Sequence, residues 1–290
     1  MSQWSLPFQY EYMVNAMMLT TLTGAVCGFL SVFLMLKGWS LIGDALSHSV
    51  VPGVAFAYLL GWPFAMGAFI SGGLAACALL FLNHFSKLKQ DCIIGLIFTA
   101  FFGLGLFIAS MSPTAVDIQT IVMGNVLAIA PADALQLVVI SVVSGLILWA
   151  KWRDMMLVFF DPNQAASMGI NPAVTKVIFF TLLSACTLAA QQTVGAFLVI
   201  AMVVIPGACA YLLADKFSNL LIIATSIGIV TSFLGCYISY FIDGATGAII
   251  VLLQGLLFTL CFLLAPKYGI TPLARKKQRR AEVIKEQVYD

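Results

Sequence analysis

MVNAMMLTTLTGAVCGFLSVFLML, residues 13–36, carries no charge and is closed by Lys37 and Gly38. About 20 apolar helical residues cross a hydrocarbon core roughly 30 Å thick, so this run is long enough to span a bilayer. Eight more runs of the same character follow near 40–60, 63–82, 92–111, 133–150, 173–190, 193–213, 218–240 and 245–265. Alternating ten-residue strand patterns are absent from the sequence, and only helices or closed barrels satisfy the backbone in lipid. The sequence therefore predicts an all-α, polytopic helical membrane protein with about nine transmembrane helices. Composition agrees: 62% of the 290 residues are hydrophobic and 9% charged, too little polar surface for a water-soluble globule. The first run is too long for a signal peptide and has no basic leader or cleavage site, so it reads as a retained span.

The fourteen Lys and Arg residues give the chain a direction. Short loops and ends rich in these residues resist translocation, which assigns Arg275, Lys276, Lys277, Arg279 and Arg280 to the cytoplasm. With nine spans, Lys37, Lys87, Lys89, Lys151, Arg153, Lys176, Lys216 and Lys267 fall on that same side. Glu11, Asp117, Asp133 and Asp243 fall on the other, where the N-terminus starts. An even number of spans breaks the pattern. The reading is one transmembrane domain over 1–270 followed by a basic cytoplasmic tail, 271–290. The net charge of +2 implies contact with anionic lipid, not nucleic acid. The seven cysteines, none in CxxC spacing, lie in or beside apolar runs and read as small packing residues.

Two connections are unusually long. The external one, 112–132, holds IQTIVMGNVLAIA, too short to cross; it reads either as a re-entrant or interfacial helix or as a packed loop. The cytoplasmic one, 151–172, contains DPNQAASMGINP. Asp161 suits an N-cap with Pro162 at the first helical position; Asn163, Gln164 and Ala165 continue the helix, and Gly169 and Asn171-Pro172 stop it. Such a helix is either a plain connector or a docking element for a protein partner.

VVPGVAFAYLL at 50–60 is echoed by VVIPGACAYLL at 203–213. In the topology above they run in opposite directions, as inverted transporter repeats do. Pro52 and Pro206 each remove a helical hydrogen bond and are expected to kink their spans. Small residues at 24 and 28, 72 and 73, and 103 and 105 mark sites of close helix approach.

Ionisable residues inside spans are costly and therefore candidates for function. In LIGDALSHSVVPG (41–53), Asp44 and His48 are four apart and share one helix face. A carboxylate with a neutral imidazole suits Mn(II), Fe(II) or Zn(II), whereas Ca(II) or Mg(II) calls for all-oxygen sites and Cu(I) for sulfur. Two ligands leave the sphere incomplete, which fits a passing ion better than a structural metal. The same pair also reads as a structural hydrogen-bonded couple or as a proton relay, the latter belonging to a proton-coupled secondary metal transporter. Ser47 and Ser49 are expected to back-bond to the helix.

Asp243, at the external mouth, reads first as a cap for the following helix and second as an attractor of cations. Met202, four residues before Pro206 as His48 is before Pro52, reads as core packing. His84 is expected at the solvated surface, and Gln191 and Gln192 at an external turn. The sequence has no GxxxxGK[ST] loop for ATP, and no HExxH or GxSxG motif for hydrolysis, so no catalytic site is expected and any energy input must come from elsewhere.

GDALSHSVVPGVAFAY (43–58), DPNQAASMGI (161–170), VGAFLVIAMVVIPGACAYLL (194–213) and DGATGA (243–248) together resemble the membrane permease subunits of bacterial ATP-binding-cassette importers for manganese, zinc and chelated iron. IPGA at 205–208 departs from the P-A-A type of sequence many such proteins carry. The resemblance implies a type II importer-like permease in the bacterial cytoplasmic (inner) membrane. It implies a homo- or heterodimeric core, two cytoplasmic ATPase subunits that bind and hydrolyse ATP, and a periplasmic or lipid-anchored metal-binding protein. Asp44 and His48 match the family's metal-contact positions, and Asp161 to Gly169 its coupling helix. It implies that the transported ion is a divalent metal, with manganese placed first and ferrous iron and zinc next.

Overall fold

The computed structural model describes residues 3–39, 41–62, 64–86, 88–111 and 129–265. The basic tail and most of the 112–132 connection lie outside the described residues, as do Lys87 and the side chains of His84 and Gln192. After a 3-10 turn at Gln3–Gln9, the helices are α1 (Glu11–Lys37), α2 (Ile42–His48), α3 (Val51–Leu60), α4 (Phe64–Phe85), α5 (Gln90–Ser110), α6 (Pro131–Phe160), α7 (Pro162–Ser167), α8 (Pro172–Val194), α9 (Ala196–Leu213), α10 (Phe217–Ile242) and α11 (Thr246–Leu264). Six of them, α1, α5, α6, α8, α10 and α11, are long and apolar enough to cross a membrane. Shorter apolar stretches, Met66–Leu82 in α4 and Phe197–Leu213 in α9, correspond to two more of the expected runs. The remaining run, 40–60, is divided between α2 and α3.

In lipid there is no hydrophobic drive between helices, so close backbone contact has to hold the bundle together. The glycines show where this happens. A Cβ at Gly24 of α1 would strike the Gly228 carbonyl and the Ser232 hydroxyl of α10, and one at Gly28 the Ala224 carbonyl. Gly207 of α9 lies against the Ser31 carbonyl of α1, and Gly53 of α3 and Gly67 of α4 lie against each other's carbonyls. Gly72 meets Leu188 and Gly105 meets Val51 and Pro52, while Gly73 and Gly103 face open space. The small-residue pairs read from the sequence thus divide between contact and surface. Helix α1 runs through the middle, two-thirds buried, and ends at Gly38, whose φ of 67° is the left-handed conformation glycine adopts without strain.

Helix α6 differs from expectation. It continues to Phe160 instead of ending near 150, so Lys151, Arg153 and Asp154 are helical. The extension is stabilised locally: Lys151 Nζ pairs with Asp154 at 3.0 Å and the Arg153 guanidinium lies over the Trp152 ring at 5.3 Å.

Candidate functional site

Helix α2 is seven residues long, and Ile42, Gly43, Ala45, Leu46 and Ser47 are buried against α5, α8 and α9. Gly43 permits this, because Val203 of α9 occupies the space a side chain would need. What α2 leaves open is the face bearing Asp44 and His48, whose side chains remain 37% and 22% exposed.

His48 Nδ1 stands 3.1 Å from Asp44 Oδ1 and 3.1 Å from the Asp44 carbonyl oxygen. Both neighbours are acceptors, so in the neutral ring Nδ1 carries the hydrogen and the Nε2 lone pair is left without it. A histidine oriented through its other nitrogen by a carboxylate or carbonyl is the usual arrangement at metal sites. The second Asp44 oxygen supplies a hard donor beside it.

The helix stops after His48 because of what lies four residues on. Pro52 has no N–H to give the His48 carbonyl, and it occupies the first turn of α3. Ser49 and Val50 bridge the two pieces with right-handed helical dihedrals, so the interruption is local. The Ser71 hydroxyl of α4 donates to the Ser49 carbonyl, and the Ser49 hydroxyl donates back to Ala45.

Two residues that the sequence did not single out complete the site. Phe98 and Phe102 of α5 stand edge-on to the His48 ring at 5.1 and 5.4 Å and are nearly parallel to each other at 7°. With Gly105, which fits under Val51 and Pro52, they form an i, i+4, i+7 stripe aimed at the α2–α3 junction. The stripe was there to be found, but with 22 phenylalanines in the chain nothing marked these two. Apolar walls lower the local dielectric and strengthen any charge interaction at the pair. Among the described residues no three His, Cys, Asp or Glu side chains gather, so one chain offers this pair and no closed metal cage.

At the basic end of the bundle, Asp161 Oδ1 accepts from Asn163 and Gln164 N–H at 2.9 and 3.1 Å, capping α7 behind Pro162. Ala165 is buried under the helix, whereas Asn163, Gln164, Ala166, Ser167 and Met168 face outward. Gly169 turns the chain at φ 82°, and Asn171 caps α8 through Ala173 and Val174 N–H.

Two sequence expectations change. Asp243 does not cap the helix after it: it ends α10 in the left-handed conformation, φ 53°, its N–H donating to Ser239. Asp tolerates that conformation better than most residues, and the N-cap of α11 is Ala245. Gln191 is not at a turn but buried in the last part of α8. Pro206 lies within the span of α9, and Met202 is fully buried, as its reading as core packing requires.

A bundle of membrane-crossing helices, with a carboxylate–imidazole pair at an interrupted helix, defines a multi-pass membrane transport protein. The ABC 3 transport family matches residues 9–265, and the chain belongs to it. A probable iron transport system membrane protein of Haemophilus influenzae is 58% identical over 272 residues, covering 94% of this chain and 96% of its own length. The manganese transport system membrane protein MntB of Synechocystis is 41% identical over 278 residues, covering 95% and 89%. The solved structure of PsaBC from Streptococcus pneumoniae in complex with Fab superposes with a TM-score of 0.79 at 31% identity, covering 91% of this chain and 96% of that one.

Proposed function

We propose that this chain is the permease subunit of an ATP-binding-cassette importer that moves a divalent first-row metal, iron(II) or manganese(II), into the cytoplasm. The observation that carries this reading is the Asp44–His48 pair, held open at a break in a membrane-embedded helix and walled by Phe98 and Phe102. Relatives named for iron and for manganese transport support both ions, and a nitrogen–oxygen donor pair suits either.

In this reading the basic end is cytoplasmic and Glu11 and Asp243 are external. A second permease protomer, identical or homologous, brings its own pair to the dimer axis, so that four ligands hold the ion in passing. A periplasmic or lipid-anchored metal-binding protein delivers the ion from outside. Helix α7, with Asp161, Pro162, Asn163, Gln164 and Ala165 forming its cap and first turn and Gly169 its exit, docks on a separate ATPase subunit that binds and hydrolyses ATP. The permease has no ATP site of its own. His48 Nε2 and the second Asp44 oxygen take the ion, while Nδ1–H and the Asp44 carbonyl keep the ring aligned; weak, incomplete coordination permits release.

Accumulation of radiolabelled iron(II) or manganese(II) in cells lacking the native system tests this. Asp44→Ala or His48→Ala should abolish uptake while the permease–ATPase complex still purifies intact; normal accumulation by either variant sinks the reading.

A further inference from the structure

An aromatic cluster at the basic end takes no part in the function proposed above. Phe33 of α1, Phe159 of α6, Phe179 and Phe180 of α8 and Phe217 of α10 meet there, with ring centroids as close as 4.9 Å for Phe159–Phe179 and 5.1 Å for Phe33–Phe217. Trp39 joins them from the segment between α1 and α2. Its N–H donates to the Leu34 carbonyl at 2.8 Å, closing α1, and its carbonyl accepts from Ile42 N–H at 3.1 Å, opening α2. The indole is 4% exposed. Phe159 holds it edge-on at 5.6 Å and 89°, and Phe180 grips it at 5.3 Å.

The origin of those two contacts matters. Phe159 lies two residues before Asp161, the residue that ends α6 and caps α7, and Phe180 lies on α8, the helix that α7 leads into. The two arms flanking α7 therefore close on one side chain, and that side chain sits at the root of the helix bearing Asp44 and His48. Phe33 and Phe179 pack in the same cluster, each against Phe159. A small apolar cavity lined by Trp39, Ile42, Leu79, Ile93 and Phe180 adjoins the indole. Packed aromatic contacts pass from one discrete arrangement to another rather than deforming smoothly.

We propose that Trp39 is the positioning residue that carries displacement of α7 to α2, and so to Asp44 and His48; this rests on α7 being the ATPase-docking helix.

The test uses the full transporter, permease with its ATPase and metal-binding protein, in proteoliposomes, with manganese(II) uptake and ATP hydrolysis measured together. Trp39→Ala should keep hydrolysis within about twofold while metal transported per ATP falls about tenfold, the scale at which residues between coupled sites act. Trp39→Phe, which keeps a ring in the grip, should hold that ratio within about twofold of wild type. A ratio unchanged in Trp39→Ala, or uptake and hydrolysis falling together as general loss of packing dictates, overturns the proposal. If Trp39→Ala does not assemble, Phe159→Leu and Phe180→Leu each remove one side of the grip, and the same ratio decides. Met168→Glu, at the exposed C-terminal end of α7, isolates the premise: release of the ATPase supports docking, and its retention sinks the docking reading. Release by Met168→Glu with an unchanged ratio in Trp39→Ala sinks the role of Trp39 alone.

Discussion

Two helices of this chain share nearly the same Pro-Gly-containing sequence and differ in what the proline does. In the first, Pro52 stands in the opening turn of α3, behind a separate short helix; in the second, Pro206 lies within α9, which runs unbroken from Ala196 to Leu213. Each proline withholds an N–H from the carbonyl four residues back, His48 in one case and Met202 in the other. The surroundings decide the outcome. Met202, Val203, Cys209 and Ala210 are buried, and α9 is held by α1, α8, α10 and α11 together, so breaking it would pull apart packing on several sides. Helix α3 is gripped by α4 and α5, leaves Phe56, Leu59 and Leu60 exposed, and is preceded by His48 and Ser49, whose side chains bond back to Asp44 and Ala45, whereas the buried Ser47 hydroxyl does not make the back-bond expected of it. A proline permits a break, and weaker packing with polar neighbours realises it.

The comparison can be broken by experiment. Removing the ligands at the interrupted helix should have the largest effect: Asp44→Ala or His48→Ala should lower metal uptake by about 100-fold or more, the upper end of what loss of even an outer-shell partner costs. Next comes the break itself. Pro52→Ala restores a donor to the His48 carbonyl and lets α2 and α3 fuse; uptake should fall about tenfold, while the thermal midpoint of the purified permease holds, because proline in the first turn of a helix costs little. Gly207→Val drives a side chain into the Ser31 backbone and should cost about 1–3 kcal/mol, read as a lowered midpoint in detergent. Asp161→Ala removes a cap worth about 1 kcal/mol and should appear as faster hydrogen exchange across α7. Pro206→Ala should be the mildest, leaving uptake within about twofold of wild type, since α9 is already continuous. A large loss of uptake from Pro206→Ala, or none from Pro52→Ala, would reverse the distinction drawn between the two helices.

Hydropathy made the spans legible, because lipid demands long apolar runs and leaves few ways to write them. The Asp44–His48 face and the Asp161 cap were legible too, since four-residue spacing and cap chemistry are local rules. Other features depend on what lies across the bundle. Phe98 and Phe102 become part of the site only when α5 crosses the α2–α3 junction, and Trp39 gains its position only when α6 and α8 close on it. Asp243 was misassigned because an Asp before Gly-Ala-Thr fits both an N-cap and a left-handed C-cap, and the carbonyl that its N–H reaches, Ser239, lies backwards along the chain. The continuation of α6 was hidden by Lys151, Arg153 and Asp154, whose charges end a membrane run without ending a helix.

That continuation has a geometric consequence. At 1.5 Å per residue, the 30 residues of Pro131–Phe160 measure about 45 Å, against about 30 Å of hydrocarbon. If the outer end sits at the membrane boundary, the other overhangs by some 15 Å, enough to clear the lipid headgroups and hold the short capped helix out in water. In the proposed reading, a partner seated on that outpost need not touch the bilayer, and its push arrives at the far end of a stiff rod.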